Sequence, residues 1–284
     1  MTTETLLSIN GVSKIYVPRT FLRSRRAEGL IAVDDVTVDL PRGKTLGVVG
    51  ESGSGKTTLA RMTAGILTPT TGSITIDDTD ITRIPRRDLF RRIQYVYQDP
   101  YSALNPRNTV GRSIEVPLRF LAREDRASRQ STVRSLLDQV GLRPEMSERY
   151  PHELSGGQRQ RVVIARAIAA HAETLVLDEP VSALDVSVQA QILVLLQELQ
   201  DELGLTYFFI SHDLAVIDAL SHEVLVMRKG TVVERGFRDD VFTSPQHPYT
   251  RALLEATPGQ SSRRSSARQR PASTGISDST GATP

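Results

Sequence analysis

The run Gly50-Glu51-Ser52-Gly53-Ser54-Gly55-Lys56-Thr57-Thr58 constrains the fold more than any other stretch of the chain. Its spacing is Gly, any four residues, Gly, Lys, Ser/Thr, and it sits between an apolar run at 45–49 and a helical pattern over 59–65. Strand, glycine-rich turn and helix in that order describe the phosphate-binding loop of a parallel α/β sheet. Glycines let successive backbone N–H groups turn inward around an anion, and the helix adds the positive end of its dipole. The expected occupant is a polyphosphate cradled from Gly50 to Thr58, with Lys56 on the outer phosphates and the Thr57 hydroxyl on a magnesium ion. A merely glycine-rich turn is the plain alternative, and the strand before it and the helix after it argue against that.

Composition narrows the class. At 284 residues, with 39% hydrophobic and 24% charged residues, the chain has the size and balance of a soluble globular protein with a full core. The net charge is only +2, so no global field points to nucleic acid. Cysteine is absent, which excludes disulfides, thiolate zinc sites and Cys-held iron–sulfur clusters and suits a reducing compartment. No apolar run approaches the ~20 residues of a membrane span. The start Met1-Thr2-Thr3-Glu4-Thr5 lacks the basic and apolar parts of a signal peptide, so the chain is expected to stay in the cytoplasm.

Along the chain, 6–9 and 33–40 alternate apolar and polar residues, with Val36, Val38 and Leu40 on one face. They read as half-buried antiparallel strands separated by an Arg-rich, solvated loop at 19–26. Further strands are expected at 71–77 and 93–97, and these pieces together predict a small antiparallel sheet beside the parallel one. Pro100, Pro106 and Pro117 then punctuate a loop-and-helix segment, in which 126–140 carries Val133, Leu136, Leu137 and Val140 at helical spacing and Gly141 as a stop. This reads as an inserted helical subdomain. The sheet resumes at 175–177 and ends on Asp178-Glu179. A helix follows with Val188, Ile192, Leu195, Leu196, Leu199 and Leu203 as its apolar stripe, then a strand at 206–210 closing on Ser211-His212. Arg228-Lys229-Gly230 between 223–227 and 231–234 marks a hairpin. Beyond Pro258 the composition turns to Gly, Ser, Thr, Pro and Arg, so 259–284 reads as a disordered tail.

Asp178 and Glu179 close a buried strand, where open parallel sheets bind their ligands. Asp178 is placed to hold magnesium, and Glu179 to orient and deprotonate an attacking water; a plain acidic turn is the alternative. Leu154-Ser155-Gly156-Gly157-Gln158 precedes a helix expected to begin near Arg159, so its amides and the Ser155 hydroxyl form a second anion-binding N-terminus. A single chain has no obvious need of two phosphate cradles. A second copy, or a related chain, does.

With those residues named, the chain resembles the nucleotide-binding subunit of ABC transporters over roughly residues 6–258. Leu154 to Gln158 matches the family's signature sequence, Gln98 its Q-loop glutamine, Ser182-Ala183-Leu184-Asp185 its D-loop, His212 its switch histidine and Tyr16 its adenine-stacking aromatic. The resemblance implies an α/β P-loop NTPase spanning 1–258, with a RecA-like parallel-sheet core, an N-terminal antiparallel β subdomain and a helical subdomain at about 99–165. It implies ATP and Mg2+ as ligands and two subunits closing head to tail over two nucleotides, each held between one Lys56 loop and the other subunit's Ser155 motif. Gln98 is then expected to reach magnesium and water, His212 the γ-phosphate, and Asp185 the shared nucleotide interface. Arg159 and Arg161 read as helix-surface residues.

A narrower resemblance rests on 98–107, 149–153 and the stretch Pro245-Gln246-His247-Pro248-Tyr249-Thr250-Arg251-Ala252-Leu253-Leu254, which are similar to the oligopeptide/dipeptide importer ATPases, with a C-terminal element at about 236–258. It implies two transmembrane permease subunits contacted by the 99–121 region, a second ATPase subunit, identical or paralogous, and an extracytoplasmic solute-binding protein acting indirectly. Nucleic acid is not an implied partner, and the implied location is peripheral, on the cytoplasmic face of the membrane. The cysteine-rich site of some relatives cannot be carried over to a chain without cysteine. A soluble ATPase of DNA repair or translation is a competing reading, weakened by the short separation of Lys56 from Ser155 and by the missing zinc ligands. A silent nucleotide-binding regulator is a third, opposed by the presence of Glu179 and His212.

Overall fold

Two sheets organise the chain in a computed structural model that describes residues 4–17, 29–122 and 125–256. The Arg-rich loop at 19–26 and the tail at 259–284 lie outside the described residues. In the first sheet, β1 (Thr5–Tyr16) pairs antiparallel with β2 (Leu30–Pro41) on one side and β4 (Thr71–Ile76) on the other, and the short β5 (Thr79–Asp80) extends it in the order β2-β1-β4-β5. Val36, Val38 and Leu40 are buried and Asp35, Thr37 and Asp39 beside them are exposed, as the alternation requires.

The second sheet has the order β10-β9-β3-β8-β7-β6. Its parallel strands are β3 (Thr45–Val49), β6 (Ile93–Val96), β7 (Thr174–Asp178), β8 (Thr206–Ile210) and β9 (Glu223–Arg228), with β10 (Thr231–Phe237) added antiparallel at one edge. The β9–β10 turn carries positive φ at both Lys229 (+48°) and Gly230 (+88°), the signs of the hairpin turn whose twist matches its strands. One expectation is corrected here. The 93–97 stretch, grouped above with the antiparallel pieces, contributes β6, which pairs parallel with β7 at the edge of the other sheet. Four residues of mixed apolar character do not identify a sheet; Ile93 and Tyr95 pack into one core and Val96 into the other.

That two-faced burial explains the continuous apolar strands. Leu46, Val48, Val176, Phe208 and Ile210 face one core, shared with α1 (Lys56–Thr63) and the antiparallel sheet. Leu175, Leu177, Tyr207 and Phe209 face the other, which α6 (Gly156–Ile168), α7 (Val186–Leu203) and α8 (Leu214–Leu220) cover. Tyr207, Phe208 and Phe209 are fully buried, each worth roughly 1.5–3 kcal/mol relative to exposure. On α7 the stripe differs in detail from expectation. Ile192, Leu195, Leu196 and Leu199 are buried, Val188 is only partly so, and Leu203 is exposed. Gln200 is the polar member of the buried face, its amide donating to Thr45 Oγ1 and to the Leu205 carbonyl.

Between β6 and β7 lie α2's neighbours in a helical segment: after α2 (Arg86–Arg92) and β6 come α3 (Pro100–Ala103), α4 (Val110–Pro117), a wide turn at Leu118–Ala122, α5 (Arg126–Gln139) and then α6. Asp99, Thr109 and Asp125 cap α3, α4 and α5 through side-chain oxygens, satisfying first-turn amides. The chain continues through α9 (Arg238–Thr243) to α10 (Pro248–Glu255). No helix among the described residues is long and apolar enough to cross a membrane. The decisive feature of this topology is that the C-terminal ends of β3, β8, β7 and β6 lie side by side, in that order.

Candidate active site

Each of those four strand ends delivers part of one site. β3 runs into the glycine-rich loop, β8 into Ser211-His212, β7 into Asp178-Glu179 and β6 towards Gln98. Gly50 (φ +149°) and Gly55 (φ +102°) make the loop possible. A Cβ at Gly50 would sit 2.1 Å from the Met227 carbonyl oxygen, and one at Gly55 2.3 Å from that of Ala32. The loop is closed by Ser54 N–H donating to Glu51 O (3.1 Å) and by Gly230 N–H donating to Ser54 O (3.0 Å). Helix α1 then starts on the Lys56 residue itself, earlier than the 59–65 pattern indicates, because a glycine N-cap lets the turn become helix at once.

Lys56 is buried, and its ammonium donates to Gly50 O at 2.7 Å and Glu51 O at 2.9 Å. Burial lowers its pKa, and the carboxylates of Glu179, Asp178 and Glu51 act in the opposite sense. Thr57 Oγ1 donates to Asp178 Oδ1 at 3.1 Å, and Tyr95 Oη donates to Asp178 Oδ2 at 2.6 Å. Burial, then this hydrogen bond and the carboxylate's charge, raise the Tyr95 phenol far above its ordinary range, so it remains a donor. Glu179 stands in the left-handed backbone region (φ +49°), a conformation that costs a non-glycine residue of order 1–3 kcal/mol and is common at functional sites. Its Oε2 accepts from Gln98 Nε2 at 3.0 Å and faces His212 Nδ1 at 3.0 Å, where an Nδ1–H tautomer donates.

A cleft of about 510 Å³ gathers Tyr16, Ser52, Gly53, Gly55, Lys56, Thr57, Thr58, Gln98, Glu179 and His212. Leu30, Ile31 and Ala32 also line it, residues that lie before the alternating strand expected at 33–40 and have no role legible in the sequence. Tyr16 is half-exposed at its mouth, with the Lys14 ammonium 5.7 Å from its ring. Gly50, Glu51 and Ser54 form the loop behind the lining, and Asp178 lies one hydrogen bond beneath it through Thr57. Ser155, Gly156, Gly157, Gln158 and Asp185 are not among the residues of this cleft.

The residues fit a polyphosphate and a hard cation. No side chain caps α1, so its first amides have no side-chain partner, and the buried Ser54 hydroxyl has no hydrogen-bond partner. Donors of this kind, with Lys56, suit an anion. The Thr57 hydroxyl beside the Asp178 carboxylate is the oxygen set that Mg2+ prefers.

The second N-terminus is built as a capping box. Ser155 Oγ accepts from Gln158 N–H (3.3 Å), and Gln158 Oε1 accepts from Ser155 N–H (3.0 Å). Helix α6 therefore begins at Gly156, three residues before the expected start near Arg159. A Cβ at Gly157 would lie 2.5 Å from Val188 Cγ1, so the glycine lets α6 pack closely on the start of α7, where Asp185 is the N-cap residue. Arg159 and Arg161 are half-buried rather than free on the surface: Arg159 Nε donates to Pro151 O (2.7 Å) and an Arg161 terminal N–H to Val140 O (2.6 Å). The sequence carried no signal for Tyr95, since 93–97 reads as part of the antiparallel sheet and only the pairing of β6 with β7 sets its hydroxyl on Asp178. Nor did it carry one for Tyr249, whose hydroxyl accepts from the Glu51 backbone N–H at 3.1 Å.

Comparison with known proteins agrees with this geometry. Residues 33–182 match the family model described as ABC transporter. The chain belongs to the ABC transporter family. It is an ATP-hydrolysing cassette of that family. Residues 233–280 match the model for the oligopeptide/dipeptide transporter C-terminal region, which bears out the narrower resemblance drawn from 245–254. The cassette is 50% identical over 250 residues, 84% of this chain and 74% of the relative, to a "Putative peptide import ATP-binding protein" of Brucella abortus. It is 46% identical over 259 residues, 89% of this chain and 78% of the relative, to the dipeptide transport ATP-binding protein DppF of Haemophilus influenzae. Among solved structures, the cbiO1 protein of Clostridium perfringens, part of the cbiONQ complex, superposes with a TM-score of 0.74 at 27% identity, covering 85% of this chain and 92% of that one. A cassette solved as a dimer in a post-hydrolysis state with ADP and Pi superposes with a TM-score of 0.72 at 27% identity, covering 82% and 99%.

Proposed function

We propose that this cassette powers an importer of oligopeptides or dipeptides. It works as one of two ATPase subunits on the cytoplasmic face of the membrane, below two transmembrane permease subunits that receive solute from an extracytoplasmic binding protein. The 99–165 segment is the helical subdomain of this unit, and its 99–121 part is the permease contact. The observation that carries the two-subunit reading is the separation of two anion cradles: the Lys56 loop lines the cleft with Glu179 and His212, while the capped Ser155 terminus stands outside it. ATP bound at the loop is completed by the Ser155 motif and Asp185 of a second subunit.

In the chemistry this arrangement supports, the amides of residues 53–58 and Lys56 hold the phosphates, and Tyr16 stacks on the adenine. Thr57, Asp178 and Gln98 would hold Mg2+, which supplies charge neutralisation on the phosphates when bound. Glu179 orients a water and takes its proton as the water oxygen bonds to the terminal phosphorus; the bond to the ADP oxygen breaks, leaving ADP and inorganic phosphate. His212 and Gln98, both on Glu179 Oε2, hold that carboxylate in place before nucleotide arrives.

The test uses the absence of native cysteine. Glu179→Gln chains carrying Ser52→Cys are mixed with Glu179→Gln chains carrying His152→Cys, and a short bis-maleimide is added with and without MgATP. ATP-dependent joining across chains is expected; failure to join while ATP is bound overturns the paired arrangement. Growth on a di- or tripeptide as sole source of a required amino acid, compared between intact and Lys56→Ala strains, tests the solute class.

A further inference from the structure

The 245–254 stretch was singled out in the sequence and given no role by the nucleotide chemistry. In the fold it forms a hydrogen-bonded corner behind the nucleotide loop. Glu234 on β10 accepts from the Gln246 N–H (2.7 Å) and the His247 N–H (3.0 Å), and His247 Nδ1 caps α10 by accepting from the Tyr249 N–H (3.1 Å). Arg251 closes the corner, with Nε donating to Pro245 O (3.1 Å) and a terminal N–H to Gln246 O (2.7 Å). The corner presents one buried side chain, Tyr249, to the loop. The Arg228 guanidinium lies 4.9 Å from the centre of its ring, and its hydroxyl oxygen accepts from Glu51 N–H at 3.1 Å.

That N–H belongs to the same peptide group as the Gly50 carbonyl, which accepts from the Lys56 ammonium at 2.7 Å. One peptide unit is therefore held at both ends, by Lys56 in front and Tyr249 behind. Gly50 sits at φ +149°, so nothing in its own side chain resists rotation of this unit. Turning it would carry the Gly50 oxygen away from Lys56 and disturb the row of amides that follows. Hydrogen bonds at the two ends of one amide also polarise one another.

We propose that Tyr249 is a positioning residue for ATP binding, through which the C-terminal element sets the conformation of the Gly50–Glu51 peptide and the place of Lys56. The inference rests on the reading of the Lys56 loop as the nucleotide site. Because the loop holds phosphates alike in the bound state and in the transition state, the effect belongs in KM rather than in kcat.

The test is steady-state ATP hydrolysis by the full chain as Tyr249→Phe, which removes the hydroxyl and keeps the ring under Arg228. Leu254→Ala, which hollows the buried face of the same helix, serves as the comparison. Tyr249→Phe is expected to raise KM for ATP about five-fold, the size of one neutral hydrogen bond, with kcat nearly unchanged and the melting temperature lowered less than in Leu254→Ala. Leu254→Ala is expected to lower the melting temperature and leave KM in place. An unchanged KM in Tyr249→Phe overturns the inference, as does an equal rise in KM in Leu254→Ala, which would assign the effect to packing. A parent protein that never saturates with ATP would overturn the nucleotide reading along with it.

Discussion

Gln98 Nε2 lies 3.0 Å from Oε2 of Glu179, joining the end of β6 to the end of β7 across the floor of the cleft. His212, from the end of β8, approaches the same oxygen at 3.0 Å. Three adjacent strand ends therefore converge on one carboxylate oxygen.

Replacing that carboxylate isolates its role. Glu179→Gln keeps the size of the side chain and can still accept from Gln98, but it cannot take a proton from water. Hydrolysis should fall by roughly 10²–10⁴, the usual worth of general base catalysis, while a fluorescent ATP analogue binds as to the parent. A variant that releases phosphate at the parent rate in single-turnover experiments removes Glu179 as the base.

Lys56→Ala removes the one buried ammonium in the glycine-rich loop. ATP affinity should drop by at least about tenfold and hydrolysis by more, since a charged hydrogen bond to phosphate is worth roughly 1.5–3 kcal/mol. Equilibrium binding and phosphate release on the same preparation check both, with circular dichroism showing that the fold persists.

Tyr95→Phe strips Asp178 Oδ2 of its 2.6 Å donor in a buried setting. Loss of a partner on a buried carboxylate costs roughly 1–3 kcal/mol of stability, and supporting residues of this kind tune cation affinity by about tenfold. The expected result is a lower urea midpoint together with a higher Mg2+ concentration for half-maximal hydrolysis. A change in midpoint without any change in the Mg2+ titration would confine Tyr95 to packing.

His222 predicts a small dependence of stability on pH, far from the active site. Its Nδ1 accepts from the Thr45 N–H at 3.1 Å, which requires an unprotonated nitrogen. Desolvation, then the charges of Lys44 and Arg238, lower its pKa from the ordinary 6.5, against weaker opposite effects of Asp201 and Glu223. The unfolded chain thus binds the proton more readily, so stability is full above pH 6.5 and declines as pH falls through the window just below it. Part of the ring meets water, which keeps the effect below about 1 kcal/mol. Urea unfolding at about pH 8 and about pH 5.5 should differ less in His222→Asn, whose amide oxygen accepts the same N–H without titrating.

Local spacing was enough to read the parts of this protein whose geometry is local. Gly50 to Thr58 follows a buried strand and opens a helix, so its cradle of amides is a property of one short stretch of backbone. The Ser155–Gln158 capping box spans one helical turn, and Asp178-Glu179 ends an apolar run that only a sheet interior accepts. Even there, small errors track the same limit. The helices begin earlier than their apolar periodicity, because caps and glycines set a helix start while periodicity reports only its buried face.

What the tertiary structure decided are the partners across the chain. Ile93–Val96 joins the parallel sheet because β7 lies beside it, and only that adjacency sets the Tyr95 hydroxyl on Asp178, a residue 83 positions away. Glu51 meets Tyr249 across 198 positions, and Thr45 meets His222 across 177. A hydrogen bond has a reach of about 3 Å, whereas sequence separation carries no distance once the chain folds back on itself. The amino-acid order therefore determined which groups the site contains. The order of strands in the sheet determined which of those groups touch.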